Sequence, residues 1–402
     1  MGRTAIFMVM GFSAIFLFAG KNMSDVSVTA LDNAMNYYEH TQLNAIATAG
    51  SNFACSKMWS QNTWRKGFSN VPFGGGLISV TAADIPHGMV KITTTATYQG
   101  STKQTVIVMV PSSFAKFAFY GGTHASAAMW EHGDTIGGPN HTQGKLKTYD
   151  DPVFLGKTTS LSGLTMAGSK NPQFKGGYTS GISIPMPAIA SYTDIYNAAN
   201  TGGHAQTTGN LYLKFNADGT IDWKTSSGGV YTHQTLASFA PNGIIAIDKG
   251  TLWVEGTVPG RVTLASIRSG GSSGGAVNIT NNLVLRDNPQ TNPNSTDVLG
   301  VVSYGDITVK DNGATLFQMQ GSYYSYQGGL QVENFNSRPP GNLKVYGGIM
   351  VEYLYATSNG AAGNARRGYN LRTDFDERLA DVGMAPDYFP RTASFEILSW
   401  LE

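Results

Sequence analysis

Residues Thr4 to Ala19 carry no charge, and no proline occurs before Pro72. At 1.5 Å per residue this run is about 24 Å long as a helix, a little short of the ~30 Å hydrocarbon layer of a bilayer. Arg3 precedes it and Lys21 follows it. A secretory signal peptide would use Arg3 as its basic end, but a cut after Gly20 would leave bulky Phe18 at a position that prefers small residues. No turn interrupts the chain afterwards. Leu31, Met35, Tyr38, Ala45, Ala49 and Phe53 recur at spacings of three, four or seven, with Asp32, Asn36, Glu39 and Asn44 between them. That spacing predicts one helix from Thr4 to about Trp59, on the order of 80 Å long, apolar all round at first and then apolar along one stripe. The first part needs lipid or other subunits; the stripe is expected to pack on its own domain.

Composition sets the limits for the rest. Lys and Arg total 27 and Asp and Glu 26, a net charge of +1, which argues against an electrostatic nucleic-acid binder. Only 13% of residues are charged and 49 of 402 are glycine, while 41% are hydrophobic, enough for a core. These proportions suit a strand-rich chain with a polar, mostly uncharged surface. The single cysteine, Cys55, excludes an intramolecular disulfide and a thiolate metal cluster and reads as a small helix-packing residue.

The N-terminal segment resembles the helix of type IV pilins, especially the large minor-pilin type. In that family an apolar stretch leads into an amphipathic half with an Ala-Glu-Ala-Gly-like signature, where this chain reads Ala47-Thr48-Ala49-Gly50. The family also has a leader ending in glycine and a glutamate five residues into the mature chain. No acid occurs here before Asp25, so that glutamate has no counterpart. The rival reading is a simple membrane anchor on an envelope protein.

Ser60 to Pro72 reads as an aromatic and basic connector. Period-two alternation then predicts strands over 76–81, 89–97 and 105–110, with Gln99-Gly100-Ser101 as a turn. This block resembles the small sheet that follows the helix in the same family. From about Phe117, short apolar segments such as Ile244–Asp248, Leu252–Glu255, Arg261–Ala265 and Ala276–Thr280 alternate with Gly, Asn, Asp and Ser turns. No strong helix lies between them, which argues against helical crossovers and for a sandwich or a parallel β-solenoid. The solenoid is preferred, because phrases like Gly250-Thr-Leu-Trp-Val-Glu-Gly-Thr-Val258 recur. Gly133–Gly144 followed by Pro152–Gly156, Gly256–Ala265, and the closing Phe389–Thr392 and Ser399–Glu402 resemble an uncharacterised solenoid domain found on bacterial pilin-like proteins. The expected fold is therefore mainly β with one long N-terminal helix: helix 1–59, small antiparallel sheet 60–115, and β-solenoid 116–402.

Several clusters invite chemistry. His124, Glu131, His132, Asp134 and His141 lie close in sequence, but without the His-Glu-x-x-His spacing of zinc hydrolases, so turn hydrogen bonds are the simpler expectation. Asp150-Asp151 and Asp374-Phe375-Asp376-Glu377 could pair carboxylates for glycan cleavage; Arg366, Arg367 and Arg372 make salt bridges the plainer expectation for the latter. Gly270–Gly275 reads as a flexible loop and not a phosphate cradle, since no Gly-Lys-Ser/Thr follows. Tyr323-Tyr324-Ser325-Tyr326 reads as a packing strip rather than a carbohydrate platform.

The resemblance implies a structural subunit of an extracellular filament and carries over no catalytic residue; no metal or cofactor is expected. It places the helix in the inner membrane before assembly and in the filament core afterwards. Ile6, Phe7, Val9, Phe12, Ile15, Phe16, Leu17 and Phe18 would then supply cohesion, and Gly11, Ser13 and Gly20 would allow close backbone approach. Implied partners are further copies of the chain, the pilus assembly machinery and surface glycans or other cells, with no nucleic acid. The alternatives are a non-polymerising membrane-anchored adhesin and a carbohydrate-active solenoid enzyme.

Overall fold

One unbroken helix, α1 (Gly2–Ser60), runs for 59 residues, about 88 Å, as expected of a segment without proline. The computed structural model describes residues 2–85, 89–124, 128–187, 192–270, 274–359 and 367–401. The chain divides into two units, Met1–Pro111 with Ala393–Glu402, and Ser112–Thr392.

In the first unit, α1 lies on an antiparallel sheet of β1 (Phe68–Phe73), β2 (Gly76–Ile85), β3 (Met89–Tyr98) and β4 (Ser101–Ser113), followed in space by the closing strand Arg391–Leu401. Successive side chains on a strand point to opposite faces. Ile78 and Val80 of β2, Val90 and Ile92 of β3, and Ile107 and Met109 of β4 are thereby buried together. They meet Leu43, Ile46, Ala47, Ala54 and Met58 of the helix. Three sequence expectations change here. The buried helical face is Leu43, Ile46, Ala47, Gly50, Ser51, Ala54 and Met58, whereas Leu31, Met35, Tyr38 and Phe53 stay exposed. At 3.6 residues per turn the two stripes lie roughly 130° apart. Small residues decide the choice, because Ala47, Gly50 and Ala54 let the sheet come close. The Ser60–Pro72 connector contains all but the last residue of β1, an edge strand on which Pro72 costs no interior ladder bond. Residues 393–401 pair beside β4 instead of joining the stacked strands.

The second unit is built on a large, mostly parallel sheet in which short strands stack coil upon coil. One ladder runs Ile244–Asp248, Arg261–Ile267, Val298–Ser303, Leu316–Val332, Gly341–Leu354, Phe119–His124, Asn140–Thr142, Thr158–Ser160, Tyr178–Ser180. A second joins Gly209–Phe215, Gly250–Val258, Ala276–Leu285 and Ile307–Val309. Further along the stack Arg367–Asp374, Thr135–Gly137, Val153–Phe154 and Gln173–Phe174 pair in turn. Leu252, Val277, Ile307, Leu264, Val301, Tyr323 and Ile349 are among the side chains that meet inside.

Strand order differs from chain order. The chain enters mid-stack at Phe119, coils to Ser180, returns to the opposite end by His204, and coils back until Gly341–Leu354 pairs with Phe119–His124. Eight strand spacings separate Tyr178–Ser180 from Ile244–Asp248 on the first ladder, about 38 Å. The return segment contains a helix that the sequence reading missed, α2 (Tyr192–Gly202). Ile195 and Ala199 of α2 are buried against Ile244, Ala246, Ala265 and Ile267. Two tyrosines pin the approach to it: Tyr120 donates its hydroxyl to the Ile184 carbonyl at 2.7 Å and Tyr324 to that of Pro187 at 3.1 Å.

Glycine and serine build the corners. Ser266, Ser303 and Ser325 stand in register on successive strands. Their hydroxyls donate to the carbonyls of Gly250, Gly275 and Gly305 at 3.2, 2.7 and 2.7 Å. Gly275 is thus a bonded corner, not part of a free loop; residues 271–273 of the expected flexible loop lie outside the described residues. Where Gly347 stacks on Gly321, its φ is +130°, and a Cβ would stand 2.1 Å from the Gly321 carbonyl oxygen, so only glycine fits.

Candidate functional site

The N-terminal part of α1 is a helix without a partner in its own chain. Every described residue from Gly2 to Tyr38 is exposed, and burial begins only at Leu43. Ile6, Phe7, Val9, Phe12, Ile15, Phe16, Leu17 and Phe18 are each between 55% and 74% exposed. Gly11 and Gly20 have no atom within 4 Å of where a Cβ would stand, and Ser13 is likewise exposed. All eleven residues named from the sequence therefore sit on one uncovered segment, which is long and apolar enough to cross a membrane. Leaving so many large apolar side chains in water costs about 1.5–3 kcal/mol for each relative to burial. Arg3 and Lys21 bracket the apolar stretch, and Asp25 is its first acid.

Further along, Leu31, Met35, Tyr38 and Phe53 are 54% to 61% exposed and continue an apolar flank beside the face that packs on the sheet. The helix thus carries two surfaces over its second half, one used internally and one open. Sequence reasoning found the open stripe but expected it to pack on the chain's own domain, and it missed the face that does. The signal for the buried face was present in the 43, 46, 47, 50, 54, 58 spacing.

The remaining clusters resolve into separate contacts. His132 Nδ1 meets Asp151 Oδ1 at 2.5 Å, and that hydrogen bond holds the Asp151 carboxyl below the usual range. His141 is buried between Thr159 Oγ1 at 2.8 Å and Gln143 Oε1 at 3.0 Å; burial lowers its pKa and keeps the ring neutral. Asp134 accepts the amides of Glu131 and Leu371, each at 2.9 Å. Among the described residues no three His, Cys, Asp or Glu side chains converge as metal ligands.

Asp150 Oδ1 accepts the Ser169 and Lys170 amides, and Asp151 faces His132 and Lys170 instead, so the pair is divided between two tasks. Asp376 pairs with Arg378 at 2.6 Å, and the same guanidinium donates to the Ser295 and Asp297 carbonyls. That ion pair uses none of the three arginines expected from sequence, and Arg366 lies outside the described residues. Tyr323 and Tyr324 are fully buried, as a packing strip requires. Cys55 is half-buried against the core of the first unit.

No family model matches the chain. No curated protein is similar to it. Among solved structures, the crystal structure of the competence-associated pilin ComZ from Thermus thermophilus aligns with a TM-score of 0.38 and 12% identity, over 90% of this chain and 97% of that one.

Proposed function

We propose that this chain is a structural subunit of an extracellular type IV pilus-like filament, and that its work is assembly and not catalysis. The observation that carries the reading is the uncovered apolar segment of α1, joined without a break to a half that packs on its own sheet. Such a helix rests in the inner membrane before assembly and exchanges lipid for neighbouring helices in the filament core. Ile6, Phe7, Val9, Phe12, Ile15, Phe16, Leu17 and Phe18 provide the apolar contact, and Gly11, Ser13 and Gly20 let backbones approach, as small residues do between apolar helices. The open flank of Leu31, Met35, Tyr38 and Phe53 extends the surface offered to neighbours. Because no acid precedes Asp25, helices can pack along this length without burying an unpaired carboxylate. The stacked-strand unit is displayed outside, where other cells or surface glycans are its contacts, and the assembly machinery in the inner membrane handles the helix.

The test is substitution in the helix. Phe12→Asp or Phe16→Asp places a charge among apolar neighbours at a cost of several kcal/mol per subunit. Surface filaments disappear while the rest of the chain stays folded, as read by imaging sheared filaments and by circular dichroism. Normal filaments from either variant would overturn the reading. A wild-type protein that is found on the cell surface only as single copies would favour a membrane-anchored adhesin instead.

A further inference from the structure

An open cavity of about 510 Å³ lies in the side of the stacked-strand unit, near where the last coil of the chain meets the first. Its walls are Trp130, Tyr149 and Tyr355 with aliphatic Leu354 and Leu371, and its acids are Glu131 and Asp134. Among the described residues no lysine or arginine lines it.

The two acids are unequal. Both oxygens of Asp134 are taken by backbone amides, Oδ2 by Glu131 and Oδ1 by Leu371, which leaves it unsuited to ligate a metal. The Glu131 carboxylate is half-buried, and among the described residues no group donates a hydrogen bond to it. Burial raises the pKa of both, Asp134 to about 7, with the nearby Arg372 acting in the opposite direction on Asp134. An unpaired carboxylate in a partly desolvated place is costly, and a cation that reaches it recovers that cost. The walls select what kind of cation. Tyr355 stacks on Tyr353, with ring centroids 6.0 Å apart and planes 4° from parallel. Aromatic and aliphatic walls beside one carboxylate suit an ammonium carried on a short alkyl chain, because ring faces attract the cation while the chain fills the apolar part. A strongly hydrated inorganic ion would lose its shell and gain one ligand.

We propose that this cavity binds a primary alkylammonium group, with Glu131 as its counter-ion and Tyr149 and Tyr355 as its walls. Free amines and lysine side chains of a partner protein carry the same chemistry. The cavity lies within the unit Ser112–Thr392, so the proposal stands apart from the filament reading.

The detergent-solubilised full chain is titrated by calorimetry with n-butylammonium, with 1-butanol, and with Nα-acetyl-lysine-N-methylamide. Saturable millimolar binding of n-butylammonium, with 1-butanol about tenfold weaker or worse, is expected. Glu131→Gln weakens the ammonium by about tenfold and leaves 1-butanol unchanged. Binding is tighter at pH 8 than at pH 5, since burial raises both cavity acids, Asp134 to about 7, and their ionised forms attract the cation. Binding of the lysine derivative alongside n-butylammonium points to a protein partner, and its exclusion points to a small free amine; both support the site. Absence of saturable ammonium binding, or equal binding of 1-butanol by the wild-type chain, overturns the proposal whether or not the Glu131→Gln variant folds. Equal affinity in a folded Glu131→Gln variant also overturns it.

Discussion

Ser51 on the helix donates its hydroxyl to Thr94 Oγ1 on β3 at 3.0 Å, with both residues completely buried. This polar contact sits among apolar side chains, while two others, Gln42 to the Gly74 carbonyl and Lys103 to Asn44, lie at exposed edges of the same interface. The Ser51–Thr94 bond is possible because the preceding residue is Gly50. A Cβ there would stand 2.5 Å from Ile78 Cγ2 and 2.9 Å from Thr94 Cγ2.

Gly50→Val should therefore lift the helix from the sheet at this point and lose the Ser51–Thr94 bond as well. Overpacking of this kind costs about 1–3 kcal/mol. Ser51→Ala, which only removes the partner of a buried hydroxyl, should cost about 1–3 kcal/mol by the desolvation argument. Urea unfolding of the detergent-solubilised chain measures both. A Gly50→Val variant as stable as the wild type would show that the close approach is not needed.

Truncation separates the two parts of α1. A chain starting at Glu39 lacks the apolar run but keeps Leu43 to Met58, and it should be soluble, monomeric and folded. A chain starting at Ser60 loses the helical half of the first unit's core, uncovering Ile78, Val80, Val90, Ile92 and Ile107. It should aggregate or bind a hydrophobic dye. Gel filtration of the two chains decides the matter, and equal behaviour would mean that the helix contributes nothing to the sheet.

Asp134 makes stability depend on pH. Its carboxyl is raised by burial from 3.8 to about 7, so between about pH 4 and pH 7 the folded chain keeps a proton that the unfolded chain has released. Its contribution is complete below the unfolded value and is lost as pH rises through about 7, with a slope of up to about 1.4 kcal/mol per pH unit. Asp134→Asn should flatten that slope between pH 4 and pH 7 in urea-unfolding measurements, while lowering stability at pH 5 through the loss of one amide acceptor. A slope unchanged by the substitution would place the titration elsewhere.

Helix α1, the alternating strands of the small sheet and the corner glycines were legible because each depends on residues a few positions apart. The absence of proline, the period of two in 89–97 and the Gly and Ser turns act locally, so sequence carries them directly. The divided roles of Asp150 and Asp151 were not legible, since their partners stand 19 or 20 residues away. The two acids of the side cavity were visible as residues, but Tyr149, Tyr355 and Leu371 reach them only through coil stacking.

Sequence by itself determined that an apolar helix without an internal partner heads the chain and that short strands with glycine corners follow. Those are consequences of hydropathy and backbone freedom. Tertiary structure alone decided which helical stripe is buried, that the closing strand returns to the first sheet, and that the coils are stacked out of chain order with α2 in the return. The physical reason is the same in each case. Two apolar stripes, several strand edges and two directions of stacking are nearly equivalent locally, and only close packing, as at Gly50 on Ile78 and Thr94, distinguishes them.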